Sequence, residues 1–365
     1  MNALDYFSKL KDPRSTKSQI YSLQDIVFLT ISAVVSGADT FVDIANFGKY
    51  RQEWLSKYVD FPEGKSPSHD AINDFFSRLD TEKFQECFIK WTSEVCGITE
   101  GDLISIDGKC LRGSHDKYNN KSAIYMVSAW SERNEMILAQ KKVDEKSNEI
   151  TAIPKLLSIL ELKGAIVSID AMGTQKSIAE KIVTKGADYI LALKNNQSSL
   201  FEEVESRFNN IKPVRSNTIE KSHGRIEERY CEVISNLEFI DEATKWKNIK
   251  TVIKVSTKRT VVSSGKVSNE NRYYISSLSK NPEEFNRLIR GHWGIENKLH
   301  WVLDVQFNED KSRIRNGSGD ENFAVIRHIA LNLLKLNIQP KMSMRIKRKN
   351  AAWNNQYLQE ILNVT

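Results

Sequence analysis

Two short apolar runs of the same make, Ile104-Ser105-Ile106-Asp107-Gly108 and Val167-Ser168-Ile169-Asp170-Ala171, each end on an aspartate. Runs this brief, apolar and β-branched read as buried strands, and the helical patterns over 150–162 and 175–185 alternate with them. With a further strand over 189–193, the order becomes strand, helix, strand, helix, strand, as in an α/β fold. An acid at the end of a buried strand sits on a rigid element at the rim of the sheet, ordered yet reachable. One such aspartate more often opens a turn or caps a helix, but finding the construction twice weakens that reading.

The rest of the chain frames this core. Between the two aspartates, residues 123–130 and 136–143 predict two strands joined by a hairpin-length loop. Upstream, Ser22 can cap the apolar-periodic run from Leu23, Gly37 ends it, a second amphipathic helix begins near Thr40, and Ser68-His69-Asp70 reads as another capped start. Residues 1–98 are therefore expected to form a small all-helical domain, with the α/β part following it and a β-rich continuation or insertion from about Lys212 to Lys280. Gly64-Lys65-Ser66 is no phosphate-binding loop, because the glycine required five positions earlier is Val59. Asn322 to Leu336 reads as a strongly apolar helix on the sheet. Residues 341–365, with Lys341, Arg345, Lys347, Arg348 and Lys349, are expected to be a solvated basic tail.

A third acid stands in the segment from Arg290 to Trp301, where Glu296 is surrounded by two histidines, two tryptophans and cations. His292, Glu296, His300 and Asp304 recur every four residues and would form one polar stripe on a helix. Grouped carboxylates without cysteine suit hard, oxygen-seeking dications, and the four cysteines are scattered without any zinc spacing. Lys109, Arg112, Lys194, Arg290, Arg313 and Arg315 would then hold a phosphate backbone against repulsion from the acids. The 53 Lys and Arg against 47 Asp and Glu permit nucleic acid without demanding it. Other readings stay open from the residues alone: a glycosidase acid pair, a metal site within the stripe itself, or tryptophan anchors with Glu296 paired to Arg290. No signal-peptide pattern and no run of about eighteen apolar residues occurs, so the chain is expected in the cytoplasm with no membrane partner.

Taken in order, Ile106-Asp107-Gly108-Lys109, Ile169-Asp170-Ala171-Met172-Gly173-Thr174-Gln175, Leu191-Ala192-Leu193-Lys194-Asn195-Asn196-Gln197, His223-Gly224-Arg225-Ile226-Glu227, Arg272-Tyr273-Tyr274-Ile275-Ser276-Ser277-Leu278 and the stretch from Arg290 to Arg315 resemble bacterial insertion-sequence transposases of the DDE class, within it the H-repeat-associated group. The resemblance covers nearly the whole chain, the helical part from Asp12-Pro13-Arg14 included. It implies an RNase H-like mixed sheet flanked by helices as a catalytic domain over 99–340, with a β-rich insertion at about 198–270 and Asp107, Asp170 and Glu296 as the catalytic and metal-binding triad. It further implies two Mg²⁺ per site, replaceable by Mn²⁺, which let water cut DNA at the element's ends and then let the freed 3′-hydroxyl attack target DNA. Double-stranded DNA would be the partner, a homodimer the acting form, and the nucleoid the place of work. Arg225, His292 and His300 join the DNA-contacting residues on this reading. One departure stands out: where many of the class carry tyrosine, arginine and lysine around the glutamate, this chain has Ile289, His292 and Leu303. A catalytically silent end-binding copy, or a nuclease of the same fold outside transposition, are the alternatives.

Overall fold

The structure, a computed structural model, describes residues 3–363 apart from 9, 16–18, 116, 117, 119–121, 144–147, 223, 339 and 340. It opens with α1 (Leu23–Val35), whose cap Ser22 accepts from the Asp25 N–H, and α2 (Phe41–Tyr50), started by a reciprocal capping box of Thr40 and Asp43. The short α3 (Gln52–Leu55) leads on to α4 (His69–Arg78) and α5 (Thr81–Val95), capped by Ser68 and Asp80. Then follow β1 (Leu103–Leu111), β2 (Ile124–Ser131), β3 (Met136–Lys142), α6 (Glu149–Ile159), β4 (Ile166–Ile169), α7 (Lys176–Thr184), β5 (Asp188–Leu193) and α8 (Ser198–Asn210). A meander of β6 (Val214–Ser222), β7 (Arg225–Ile234), β8 (Thr251–Val261) and β9 (Val267–Ser276) precedes α9 (Pro282–His292). The chain ends through α10 (Trp301–Gln306), α11 (Gly319–Leu336), α12 (Met344–Trp353) and α13 (Asn355–Leu362).

All nine strands belong to one sheet in the order β3-β2-β1-β4-β5-β9-β8-β7-β6. The first five make the RNase H-like part: β1, β2 and β3 are antiparallel neighbours, while β4 and β5 run parallel to β1. The β-rich stretch extends this sheet, because β9 pairs antiparallel with β5, Leu191 opposite Ile275. Strands buried on both faces read as unbroken apolar runs, which is why β1 and β4 stood out in the sequence. On one face, Ile104, Ile106, Val167 and Ile169 pack among residues of α6, α7 and α8. On the other, Leu103, Ile166 and Ile190 meet Phe285, Leu288 and Ile289 of α9. Each ladder thus carries α9 across the face on which Asp107 and Asp170 lie.

The N-terminal helices share one apolar core with the far end of the chain. Ile26, Leu29, Phe75 and Phe76 lie in the same cluster as Phe323 and Ile326 of α11 and Leu358 and Ile361 of α13. α11 is buried on every side from Asn322 to Leu334, its polar members included. Its Asn322 donates to Phe76 O and Leu79 O, both at 2.9 Å, and its Asn332 donates to Ile137 O at 2.8 Å. It therefore ties the helical layer to β3.

The segment expected as a solvated basic tail is instead α12 and α13, and two of its cations are buried. Arg348 donates to Val34 O at 3.0 Å and Lys347 to Leu334 O at 2.8 Å. The last carbonyls of α1 and α11 lack helical partners, and a buried cation at a helix C-terminus satisfies them.

The loop before α11 is pinned to the end of α4 by Ser318, whose N–H donates to Ser77 O at 3.0 Å. Gly317 beside it has φ +51°, and a Cβ there would come within 2.3 Å of Ser77 O. Gly317→Ala is expected to cost about 2 kcal/mol or more, from the left-handed backbone and the clash together. Urea unfolding checks this, and a loss below a few tenths of a kcal/mol would contradict the packing described.

Candidate active site

The parallel register sets Leu103 beside Ile166 and Ile106 beside Ile169, so the next step places Asp107 beside Asp170 at the rim. Two positions earlier on the same face, Ser105 and Ser168 are register partners, with their hydroxyl oxygens 3.2 Å apart. Ser168 also bonds His292 Nδ1 at 2.9 Å, which fixes the end of α9 over the two strands.

Glu296 arrives from that side. After α9 the chain does not leave the helix but widens into a π-helical segment, Ile295–His300, before α10, with Trp301 N–H donating to Glu296 O. Such widened turns gather at functional sites, and here the segment carries both Glu296 and His300. Asp107, Asp170 and Glu296 all line one cavity of about 250 Å³, together with Lys194, Arg272, His292 and Trp293. All three acids singled out in the sequence are thereby brought together.

The electrostatics are those of crowded acids. Burial pushes the Asp107 carboxyl up to about 6, with the charges of Asp170 and Glu296 adding to it and His300 opposing. Glu296 is half exposed, and its hydrogen bond from His300, Nδ1 to Oε2 at 3.1 Å, holds its carboxyl below the usual range. A fourth acid, Glu149 at the first turn of α6, was not anticipated. Burial and the charges of Asp170 and Asp107 raise its carboxyl to about 7. It reaches the site because position 108 is glycine: a Cβ there would lie 2.1 Å from Glu149 Oε1. In the sequence Asn148-Glu149 reads only as a capped helix start, and nothing there marks the reach across β1. These donors fit divalent cations: all but His300 are hard oxygens, and a dication would relieve the burial and mutual repulsion that raise Asp107 and Glu149. Ligand atoms of Asp107, Glu296 and His300 lie within 4.8 Å of one another.

The expected DNA-contacting residues are dispersed. Lys194 is exposed at the cavity mouth. Lys109, two positions past Asp107, is instead internal: it pairs with Asp304 and, at 2.6 Å, with Glu309, whose side chain is 1% exposed. Its position on a central strand turns it under α10 rather than toward solvent. His300 is buried between Asp107 and Glu296, away from any phosphate outside, and burial pushes the His292 imidazole down to about 4, so His292 presents no cation at neutral pH. Arg290 is exposed but paired with Glu220, and Arg112 lies 3.7 Å from Asp310. Arg225 opens β7 at a hairpin end, beside His223, which lies outside the described residues. Arg313 and Arg315 line a separate groove of about 1090 Å³ between the start of α2, α4 and the loop before α11.

Beside the expected Lys194 and Arg290, further cations flank the acids. A groove of about 610 Å³ runs on from the acidic cavity and carries Arg229, Arg259, Arg272, Arg287 and Arg290 on β7, β8, β9 and α9, with Arg229 and Arg259 paired to Glu227 and Arg272 to Glu270 as Arg290 is to Glu220. Both share Arg272 and Trp293, the guanidinium standing 4.7 Å over the exposed indole. Arg272 was part of a noted motif, but alternate residues on three adjacent strands become one stripe only after the strands are paired.

Comparison with known proteins follows this geometry. Residues 98–333 match the family described as "Transposase DDE domain", and residues 4–92 match the one described as "DDE_Tnp_1-associated". The chain is 45% identical over 98% of its length to "Putative transposase YncI" of Escherichia coli O157:H7, covering 94% of it. It is 42% identical over 98% of its length to "H repeat-associated putative transposase YhhI" of Escherichia coli K12, covering 97% of it. Among solved structures, a piggyBac transposase synaptic complex with hairpin DNA aligns at 11% identity and a TM-score of 0.48, over 97% of this chain and 76% of that one.

Proposed function

Since this chain belongs to the transposase DDE domain family, we propose that it cuts and joins the ends of a mobile DNA element, with Asp107, Asp170 and Glu296 as the working acids. The observation that carries this reading is the convergence of the three on one cavity that opens into an arginine-lined groove. Two dications held there would activate an attacking oxygen and stabilise the departing one in an in-line displacement at phosphorus. The protein's own share is positional. Asp107 and Asp170 are locked by strand register, and Glu296 by the helix that His292 anchors to Ser168.

A scissile phosphate between the acids would face Lys194 on one side, while the duplex beyond it would lie along Arg229, Arg259, Arg272 and Arg287, with arginine forks on successive phosphates. Trp293 and Trp301, both exposed, border the cleft and the helix beyond it. On this reading water breaks the phosphodiester at the element's end and leaves a 3′-hydroxyl, which then attacks target DNA. Two ends must be held at once, which calls for two copies on the DNA. The work takes place at the nucleoid in the cytoplasm.

The test is cleavage of duplex DNA carrying the inverted repeats that flank the reading frame, with Mg²⁺ or Mn²⁺ and with a chelator. Cutting at the repeat ends that needs the cation and disappears in Asp170→Asn is the expected result. Equal cutting by that variant would refute the assignment, and binding without any cutting would make this a silent end-binding protein.

A further inference from the structure

We infer that His300 is itself a ligand of the cation between Asp107 and Glu296, making that position a mixed nitrogen and oxygen site that takes Mn²⁺-class ions in preference to Mg²⁺. This rests on the reading of Asp107 and Glu296 as cation ligands and adds a residue that the acidic triad lacks.

His300 Nδ1 lies 3.1 Å from Glu296 Oε2 and 3.7 Å from Asp107 Oδ2. The residue is 4% exposed, so the ring has no freedom to turn away into solvent. Both Glu296 and His300 ride on the π-helical segment, while Asp107 comes from β1, and the three converge on one point.

The second nitrogen argues for the same role. Nε2 is buried and has no hydrogen-bond partner among the described residues. It borders a small cavity of about 10 Å³ lined also by Lys109, Ser128, Gln140, Glu309 and His328. That volume is enough for one water, and both amide atoms of Gln140, Glu309 Oε1 and His328 Nδ1 are likewise buried without a hydrogen bond among the described residues. A metal-binding imidazole characteristically donates its other N–H to a water or a carboxylate, which fixes the tautomer. In the cation-free chain Nδ1 donates to Glu296; with the proton moved to Nε2, the Nδ1 lone pair would face the space between the two carboxylates. A cation there would meet two carboxylates and one imidazole nitrogen. Magnesium prefers oxygen donors, whereas an imidazole shifts preference toward the transition metals.

The test is pulsed electron paramagnetic resonance of the full-length protein with one equivalent of Mn²⁺. Wild type is expected to show modulation from a directly bound ¹⁴N, which changes to the ¹⁵N pattern when the histidines are isotopically labelled. His300→Gln should lose the modulation, with Mn²⁺ affinity falling about tenfold or more, the scale seen when support around a metal is removed. Mg²⁺ affinity, measured by competition, should move far less. Bound Mn²⁺ without nitrogen modulation, or modulation that survives in His300→Gln, overturns the inference while leaving the acidic site intact. A wild-type protein that binds no Mn²⁺ overturns the acidic site as well. Because the labelled wild type is decisive alone, a misfolded variant cannot obscure the answer.

Discussion

Asp107→Asn lowers cation-dependent DNA cleavage by about a thousandfold or more, while making the cation-free protein more stable above neutral pH. The rate loss follows from several kcal/mol of transition-state stabilisation supplied through the bound ions, at about 1.4 kcal/mol per factor of ten. The stability gain has the opposite origin. Burial raises the Asp107 carboxyl to about 6 in the folded chain, against an ordinary value of 3.8. The folded state therefore binds the proton more tightly than the unfolded chain, and ionised Asp107 destabilises the fold. That cost begins as pH rises past about 4 and is complete above about 6 to 7, where it amounts to about 3 kcal/mol. Glu149, raised to about 7, adds to the same trend and extends it upward.

Asparagine keeps the bond from the Gly108 N–H, 2.9 Å in the wild type, and removes the charge. Melting temperature against pH in a chelator checks this: the two proteins should converge near pH 4 and separate by pH 8, the variant melting higher. Added Mn²⁺ should raise the melting temperature of the wild type alone. A variant that melts lower than wild type at pH 8 would show that Asp107 carries no such strain.

Lys109→Met destabilises the protein by about 3–5 kcal/mol, the range for removing one partner of a buried ion pair. Lys109 joins the strand of Asp107 to Asp304, two turns beyond Glu296, and to Glu309. Burial opposes the charge on Glu309, but Lys109 and Arg327 overcome it and hold its carboxyl below the ordinary range. Methionine of similar length would leave that carboxylate facing an apolar chain, with only Arg327 at 3.9 Å. Urea unfolding measures the loss, and a change under about 1 kcal/mol would mean the pair is solvated. The same lysine braces β1 against the Glu296 helix, so residual activity in the variant should fall as well.

The two aspartates were legible because parallel strands buried on both faces need uninterrupted apolar residues, and an acid closing such a run twice is conspicuous. Glu296 was legible as a lone carboxylate among aromatic and cationic neighbours. The fates of Lys109 and His300 were not. Glu309 lies 200 positions from Lys109, and only the crossing of α10 over β1 makes that lysine internal. His300 was grouped with Glu296 by four-residue spacing, but the widened helical turn that aims both inward is set by packing on the sheet. Apart from Arg290, the arginine groove was missed for a related reason: Arg229, Arg259 and Arg272 are unremarkable on any single strand. Arg348 looked like part of a solvated tail, since no local pattern reveals that its partners are the last carbonyls of α1, more than 300 positions away.

The shared core of α1, α11 and α13 sets an order on synthesis. As the nascent chain leaves the ribosome, α1 and α4 have Ile26, Leu29, Phe75 and Phe76 ready, but the residues that cover them, Phe323, Ile326, Leu358 and Ile361, are made only after all the strands of the sheet. The strands β1 to β5 can meanwhile close on α6 and α7, which lie near them in the chain. The helical layer, and with it the groove that holds Arg313 and Arg315, waits until α11 and α13 have been made. Before then its apolar faces are open to chaperones or to another unfinished copy, the hazard general to folding intermediates that expose apolar surface.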